Sequence, residues 1–303
     1  MQLALQQVSL PYFRCEGPLK VKFSERIIFY RHFTFTGLRY SIINYLCKVE
    51  EQMPRFFLEI AYDGTAYHGW QVQDNAVSVQ EKLNAALSVL LRTEVETVGA
   101  GRTDAGVHAK QLYVHFDSEA AVLQNKEKFI HSLNALLPFD IAAYRLIPVA
   151  ADAHARFDAT ERSYAYHVHF RKDPFRHLKS WQLRDTPNAE KMNIAARDLL
   201  GKQDFSCFSK SNTQVFTNIC DIKHAEWRWE GEDLVFHITA DRFLRNMVRA
   251  IVGTLMEIGL GKKPIEHIKA VIDSKDRAMA GTSVPACGLY LTSVVYPYID
   301  NSK

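Results

Sequence analysis

The chain has 303 residues, 47% of them hydrophobic, 12% aromatic and 23% charged, which is enough apolar material for one large domain or two of ordinary size. These values exclude a disordered, collagen-like or coiled-coil chain, and no run reaches the roughly 18 consecutive apolar residues of a membrane span. Lysine plus arginine number 37 against 34 aspartate plus glutamate, and the surplus lies wholly in residues 1–52, which hold seven basic and four acidic side chains. Residues 53–303 are therefore neutral, and an anionic partner has to be met by where charges sit rather than by their total. Five cysteines without a CxxC spacing argue against a disulfide framework or a zinc knuckle and suit a reducing, cytoplasmic setting.

Residues 1–52 show no sustained period; Ile27, Ile28, Phe29, Tyr30, Phe33 and Phe35 cluster without helical or strand regularity. A compact apolar stretch with a small-residue cleavage site is missing, and serine is too scarce for a transit peptide. At Met53 the pattern changes, so Met53 is read as the initiator and 1–52 as a poorly ordered extension upstream of the true start. The rival reading is a basic arm for RNA; an intact-mass peak for the full chain from its native source would overturn the first reading.

From there the elements follow in order. Residues 54–62 predict a strand. Ser78-Val79-Gln80-Glu81 is a capping box, and Val79, Leu83, Ala86, Leu87 and Leu90 then recur on one helical face. Strands are expected over 95–98, 112–116 and about 141–146, with a helix over roughly 125–136. A second half beginning near Ala150 repeats the grammar: strand 162–170, helix 188–200 closed by Gly201, strands 215–229 and 234–240. A long helix is expected from Asp241 as N-cap through Ile258, ended by Gly259 and Gly261, then a short helix from Pro264 and a last strand over 288–296. The fold class is α+β (α/β), in two halves, 53–150 with the glycine-rich loop and 151–303, that either share one sheet or clasp a ligand between them.

Gly99–Ala109 lies between two strands and holds three glycines in its first eight residues, which permits a crowded, defined loop. It is not a dinucleotide fingerprint, since Asp104 stands where GxGxxG needs glycine, and no GK[ST] makes it a phosphate-binding loop. What remains is one carboxylate, Asp104, with Arg102 beside it. For an isolated aspartate, a turn-forming role is the bland reading.

Longer blocks outweigh it. Tyr62–Gln71 (YDGTAYHGWQ), Ser78–Glu81 (SVQE) and Gly101–His108 (GRTDAGVH) resemble the signature of the tRNA pseudouridine synthase A family. So do His154–Phe157 (HARF), Arg162–Tyr166 (RSYAY), Phe243–Gly253 (FLRNMVRAIVG) and Pro285–Leu291 (PACGLYL), in the family's order and across nearly all of 54–297. The resemblance implies two similar halves sharing a mixed, mainly antiparallel central sheet flanked by helices, with the active-site cleft between them. It implies an isomerase that converts uridine to pseudouridine at positions 38, 39 and 40 of the tRNA anticodon stem-loop, without cofactor or metal, as a cytoplasmic homodimer whose two subunits touch one tRNA.

Carried over residue by residue, Asp104 becomes the nucleophile, at C1′ of the ribose or C6 of the base. Tyr164 packs against the target base, although Tyr166 shares its strand face by alternation. Arg249 pairs with Asp104 and aims it, and Arg102 contacts RNA and helps expel the nucleotide from its stem. Arg242, Arg245 and Arg249 at i, i+3 and i+7 are expected on one helix face, with Arg242, Arg245 and Lys110 as candidate phosphate contacts and Arg156, Arg162 and Lys210 behind them. His167 and His169 lack a third ligand and are read as packed or surface side chains rather than a metal site. The rivals are a related synthase for other tRNA uridines, a non-catalytic tRNA-binding protein and a carboxylate hydrolase. Asp104 weighs against the binder because a carboxylate beside phosphates costs affinity. The hydrolase wants a second acid that is not seen.

Overall fold

In the computed structural model, which describes residues 53–119, 125–210 and 217–300, the run Arg55–Tyr62 forms strand β1. Phe56 to Ile60 are all buried in it, as a strand covered on both faces requires. The readings made for 1–52 and for Val215 lie outside the described residues. The other strands are β2 (Val98–Gly99), β3 (His108–Asp117), β4 (Ile141–Val149), β5 (Glu161–His169), β6 (Trp181–Gln182), β7 (Gly201–Asp204), β8 (Ile219–Glu230), β9 (Asp233–Ala240) and β10 (Leu289–Val295). All ten join one sheet with the order β4-β1-β3-β10-β5-β9-β8-β7, β2 adding to β3 and β6 to β5. The pairs are antiparallel except β10 with β3 and β5 with β6.

The seam between the two halves is β10. It runs parallel to β3 with Tyr290 opposite His108, and antiparallel to β5 with Leu291 opposite Tyr164. Helices α1 (Val79–Leu91) and α2 (Lys126–Leu136) pack in the first half, and α3 (Ala189–Ala196), α4 (Met247–Gly259) and α5 (His267–Ser274) in the second. Two apolar clusters result, and Tyr164 packs against both. The expected mixed, mainly antiparallel sheet flanked by helices is the architecture found. Among the described residues no helix is long and apolar enough to cross a membrane.

Local chemistry explains most boundaries. The capping box forms as written: Glu81 N–H donates to Ser78 Oγ at 3.2 Å and Ser78 N–H to Glu81 Oε2 at 3.4 Å. The helix expected over 188–200 is α3 followed by a 3-10 turn at Arg197–Leu199, before Gly201 at φ +90° leads into β7. The strand expected over 95–98 shrinks to Val98–Gly99, because pairing with β3 begins only at Val98.

The long helix is corrected most. Asp241 does not cap it; Asp241 Oδ1 accepts instead from the backbone N–H of Asp221 at 2.8 Å and of Arg242 at 2.7 Å. Residues 242–246 are irregular, Asn246 takes a left-handed conformation at φ +66°, and α4 starts at Met247. Arg242 and Arg245 therefore precede the helix and do not share a helical face with Arg249. Once formed, α4 is buried on nearly every side, from Met247 and Ile251 to Leu255 and Ile258.

One buried charge stands apart from this packing. Glu59 on β1 is 1% exposed and accepts from Arg145 Nε at 2.5 Å, Gln111 Nε2 at 3.1 Å and the Tyr113 hydroxyl at 3.2 Å. Arg145→Met strips the carboxylate of its cation, and breaking such a pair costs about 3–5 kcal/mol. The double variant Glu59→Gln/Arg145→Met should recover most of that loss, because it removes both charges. Thermal melts of the two variants check this, and equal losses in both would contradict it.

Candidate active site

The glycine-rich loop between β2 and β3 is held from beneath by the segment that follows β1. The Tyr62 hydroxyl and Thr103 Oγ1 share a hydrogen bond of 2.8 Å, Trp70 N–H donates to Thr103 O at 3.4 Å, and Gly106 N–H donates to Tyr67 O at 3.2 Å. Gly69 makes this possible: it sits at φ +94°, and a Cβ there would strike the Thr103 carbonyl. Tyr62 lies against Trp70, ring centroids 6.5 Å apart. The residue before Asp104 is thus fixed through its side chain and its carbonyl, while Asp104 itself receives Val107 N–H on its backbone oxygen at 3.1 Å.

The far end of the loop is pinned across the seam. His108, buried at the start of β3, accepts the Gly64 N–H on Nδ1 at 3.1 Å, and its Nε2 lies 3.2 Å from Cys287 O. Its ring stacks on Tyr290 at 4.5 Å. Burial pushes the His108 pKa below the usual histidine range, which favours a neutral ring.

Across from the loop, α4 and its approach bring two guanidinium groups to Asp104. Arg249 Nη1 lies 3.4 Å from Asp104 Oδ2, and Arg245 Nε lies 3.7 Å from Oδ1. Arg249 is itself aimed, because its Nε donates to Val284 O at 2.7 Å while Val284 N–H returns to Arg249 O at 3.2 Å. Gly253 lets the 281–284 segment lie close, since a Cβ there would collide with the Thr282 carbonyl. Asn246 Nδ2 donates to Ser283 Oγ at 2.6 Å, fixing the turn that carries Arg245. The carboxylate is 24% exposed and Arg245 59%, so Asp104 is sheltered but reachable.

Tyr164 on β5 is partly buried, edge-on to Phe243 at 5.1 Å. Burial pushes its pKa up to about 12, so its hydroxyl stays neutral near pH 7. Tyr166 is fully buried and donates to Pro285 O at 2.8 Å; it is core, which separates two tyrosines that alternation alone could not. Arg102 is exposed on the loop, Lys110 is exposed with its ammonium 5.5 Å over the Tyr290 ring, and Arg242 lies half-buried beside Asp241. His169 is buried with Nδ1 2.8 Å from Ser180 Oγ, and His167 packs against Tyr290 with its pKa driven down to about 4 by burial. Among the described residues no three histidine, cysteine or acidic side chains are placed to hold a metal ion.

Arg162 turns out differently from the expected RNA contact. Its guanidinium donates to four backbone carbonyls: Ala159 at 3.1 Å, Asp241 at 2.8 Å, Ala100 at 3.0 Å and Arg156 at 2.6 Å. It ties together the loop carrying Asp104, the segment before β5 and the turn leading to Arg245. Its strand position, two residues before Tyr164, was the available signal for an inward-facing role. The roles of Tyr62, Thr103 and Val284 carry no such signal, because they depend on contacts between residues 35 or more apart.

A family model described as tRNA pseudouridine synthase matches residues 195–297. A curated relative called tRNA pseudouridine synthase A, from Bacteroides thetaiotaomicron, is 54% identical over 248 residues, covering 81% of this chain and 91% of its own length. Relatives of the same description from Parabacteroides distasonis and Porphyromonas gingivalis are each 50% identical over 81% of this chain, and over 97% and 98% of their own lengths.

Proposed function

The chain belongs to the tRNA pseudouridine synthase A family, and from that membership we propose that it isomerises uridine to pseudouridine at positions 38, 39 and 40 of the tRNA anticodon stem-loop, with Asp104 as nucleophile. It is an isomerase acting on tRNA uridine. The observation that carries the assignment of the nucleophile is the Asp104 carboxylate facing Arg249 at 3.4 Å from a loop of the other half. A single carboxylate suits the chemistry, since it can add covalently to C1′ or C6 and leave again. The N1–C1′ bond breaks, the base turns, C5 bonds to C1′, the C5 proton is released to water and N1 takes up a proton in its place.

Within this reading, Arg249 holds Asp104 in line, its own Nε being anchored on Val284 O. Tyr164 offers the turning base an aromatic face and a hydroxyl that stays protonated. Arg102 enters the gap left by the extruded nucleotide, whose removal from a stacked stem costs a few kcal/mol. Arg245, exposed beside Asp104, and Arg242 and Lys110 take phosphates. The working assembly is a cytoplasmic homodimer with one tRNA touching both subunits.

The test uses the full chain on transcribed tRNA tritiated at uridine C5. Label should pass to water in amounts matching the uridines at 38, 39 and 40. Binding without release, on a tRNA that a known synthase modifies, would reduce the protein to an RNA binder. Release from a tRNA lacking uridine at those three positions would shift the assignment to other uridines.

A further inference from the structure

The loop between β4 and β5 carries an aromatic ring that neither the fold nor the reaction described above uses. Phe157 is 74% exposed, yet it is tightly held. His154 N–H donates to Asp158 Oδ2 at 2.7 Å, and the same oxygen accepts the Tyr298 hydroxyl at 2.7 Å. His154 Nδ1 in turn accepts the backbone N–H of Arg156 at 3.1 Å and of Phe157 at 3.3 Å. The Phe157 ring lies 4.2 Å from the His154 ring, which itself stands edge-on to His115 at 4.7 Å. An exposed Arg156 places its guanidinium 5.7 Å from the Phe157 ring.

Its position follows from Arg162. One nitrogen of that guanidinium binds both Arg156 O and Ala100 O, at 2.6 and 3.0 Å, so the two carbonyls lie within two hydrogen-bond lengths of each other. Ala100 belongs to the loop that carries Arg102 and Asp104. The Phe157 segment therefore starts at the edge of the site, with an aromatic face and a cation presented together. A ring fixed before binding loses little freedom when something stacks on it. The partner that matches an aromatic face beside a cation is a nucleobase with its phosphate. Extruding a uridine supplies such a base, because its partner on the opposite strand is left without a pair.

We propose that Phe157 and Arg156 form a stacking platform for an unpaired nucleobase of the bound tRNA, the pairing partner that the extruded uridine leaves behind, with Arg156 on its phosphate. The proposal rests on tRNA being the substrate. Stacking is worth about 1–3 kcal/mol per base, which at tenfold per 1.4 kcal/mol makes Phe157→Ala bind tRNA about 5- to 140-fold more weakly. Phe157→Trp restores affinity, and its added indole emission is quenched when tRNA is bound. Arg156→Gln lowers the slope of log K against log salt by about one unit, as loss of one phosphate contact does. Melting curves show that the variants fold.

Phe157→Ala binding within twofold of wild type, or an indole at 157 indifferent to tRNA, overturns the proposal. A changed sedimentation coefficient with tRNA affinity intact also overturns it and assigns the face to a protein neighbour. Failure of the enzymatic reading shows separately, as wild type that releases no tritium. Wild type that turns over beside an unaffected Phe157→Ala brings down the platform alone.

Discussion

Asp104→Ala stops tritium release, with turnover falling on the order of 10⁴-fold or more, as expected when a nucleophile is removed, while tRNA is still bound. The carboxylate sits between Arg249 and Arg245 at 3.4 and 3.7 Å, so its removal frees two cations at the mouth of the site. Affinity for a polyanion should hold or rise, and a rise would be lost in high salt. Asp104→Asn separates charge from shape: it keeps a side chain of the same size, and as a nucleophile it should be as dead as alanine. Single-turnover release at saturating tRNA, beside filter binding on the same samples, gives both readouts. Residual turnover above about a hundredth of wild type would place the nucleophile elsewhere, since a general positioning role is worth about that much.

Arg162→Met is the second large effect, and it falls on stability and turnover together. Four carbonyls lose their donor, each bond to a charged group being worth about 1.5–3 kcal/mol before water takes over the more open positions. A net loss of about 3 kcal/mol lowers Tm by roughly 6–12 °C for a chain of this size. The two segments that flank Asp104 also lose their common tie, and displacement of about 1 Å costs on the order of 100-fold in rate. Arg162→Lys should recover little, because an ammonium cannot reproduce a planar fork reaching four acceptors. Burial pulls the Arg162 pKa below its ordinary value, and lysine, which deprotonates more readily when buried, would fare worse in the same place. Thermal melting and single-turnover rates measure the two effects, and wild-type behaviour of Arg162→Lys would contradict both.

The features readable in the sequence are those decided by near neighbours. Ser78 and Glu81 satisfy each other's backbone three residues apart, so α1 starts where its capping box says. Asp104 and Arg249 sit in separate blocks with a family pattern, and the structure puts their side chains together. The start of α4 departs from the pattern because Asp241 has the right chemistry for a cap but a better use. Its carboxylate finds the backbone of Asp221, on a strand that only folding brings alongside. Asn246 then accepts left-handed backbone, a conformation asparagine tolerates, and the expected row of three arginines breaks there. Arg162 is the opposite case: an arginine in a chain expected to bind RNA invites a phosphate, whereas its guanidinium is taken up by four carbonyls from segments up to 79 residues away. Tyr164 and Tyr166 were equivalent by alternation until one was found in the core with its hydroxyl on Pro285.

The place of β10 in the sheet has a consequence for how the protein is made. On a ribosome adding roughly 5–20 residues per second, β3 waits on the order of 10–30 s for its partner strand to be synthesised. Throughout that interval part of the β3 edge is open, the kind of surface on which nascent chains associate wrongly. Asp104 and Arg249 share no common frame until the seam closes, so a partly made chain should hold no working site. The enzyme would become active in one late step, when a strand encoded far downstream joins the sheet between β3 and β5.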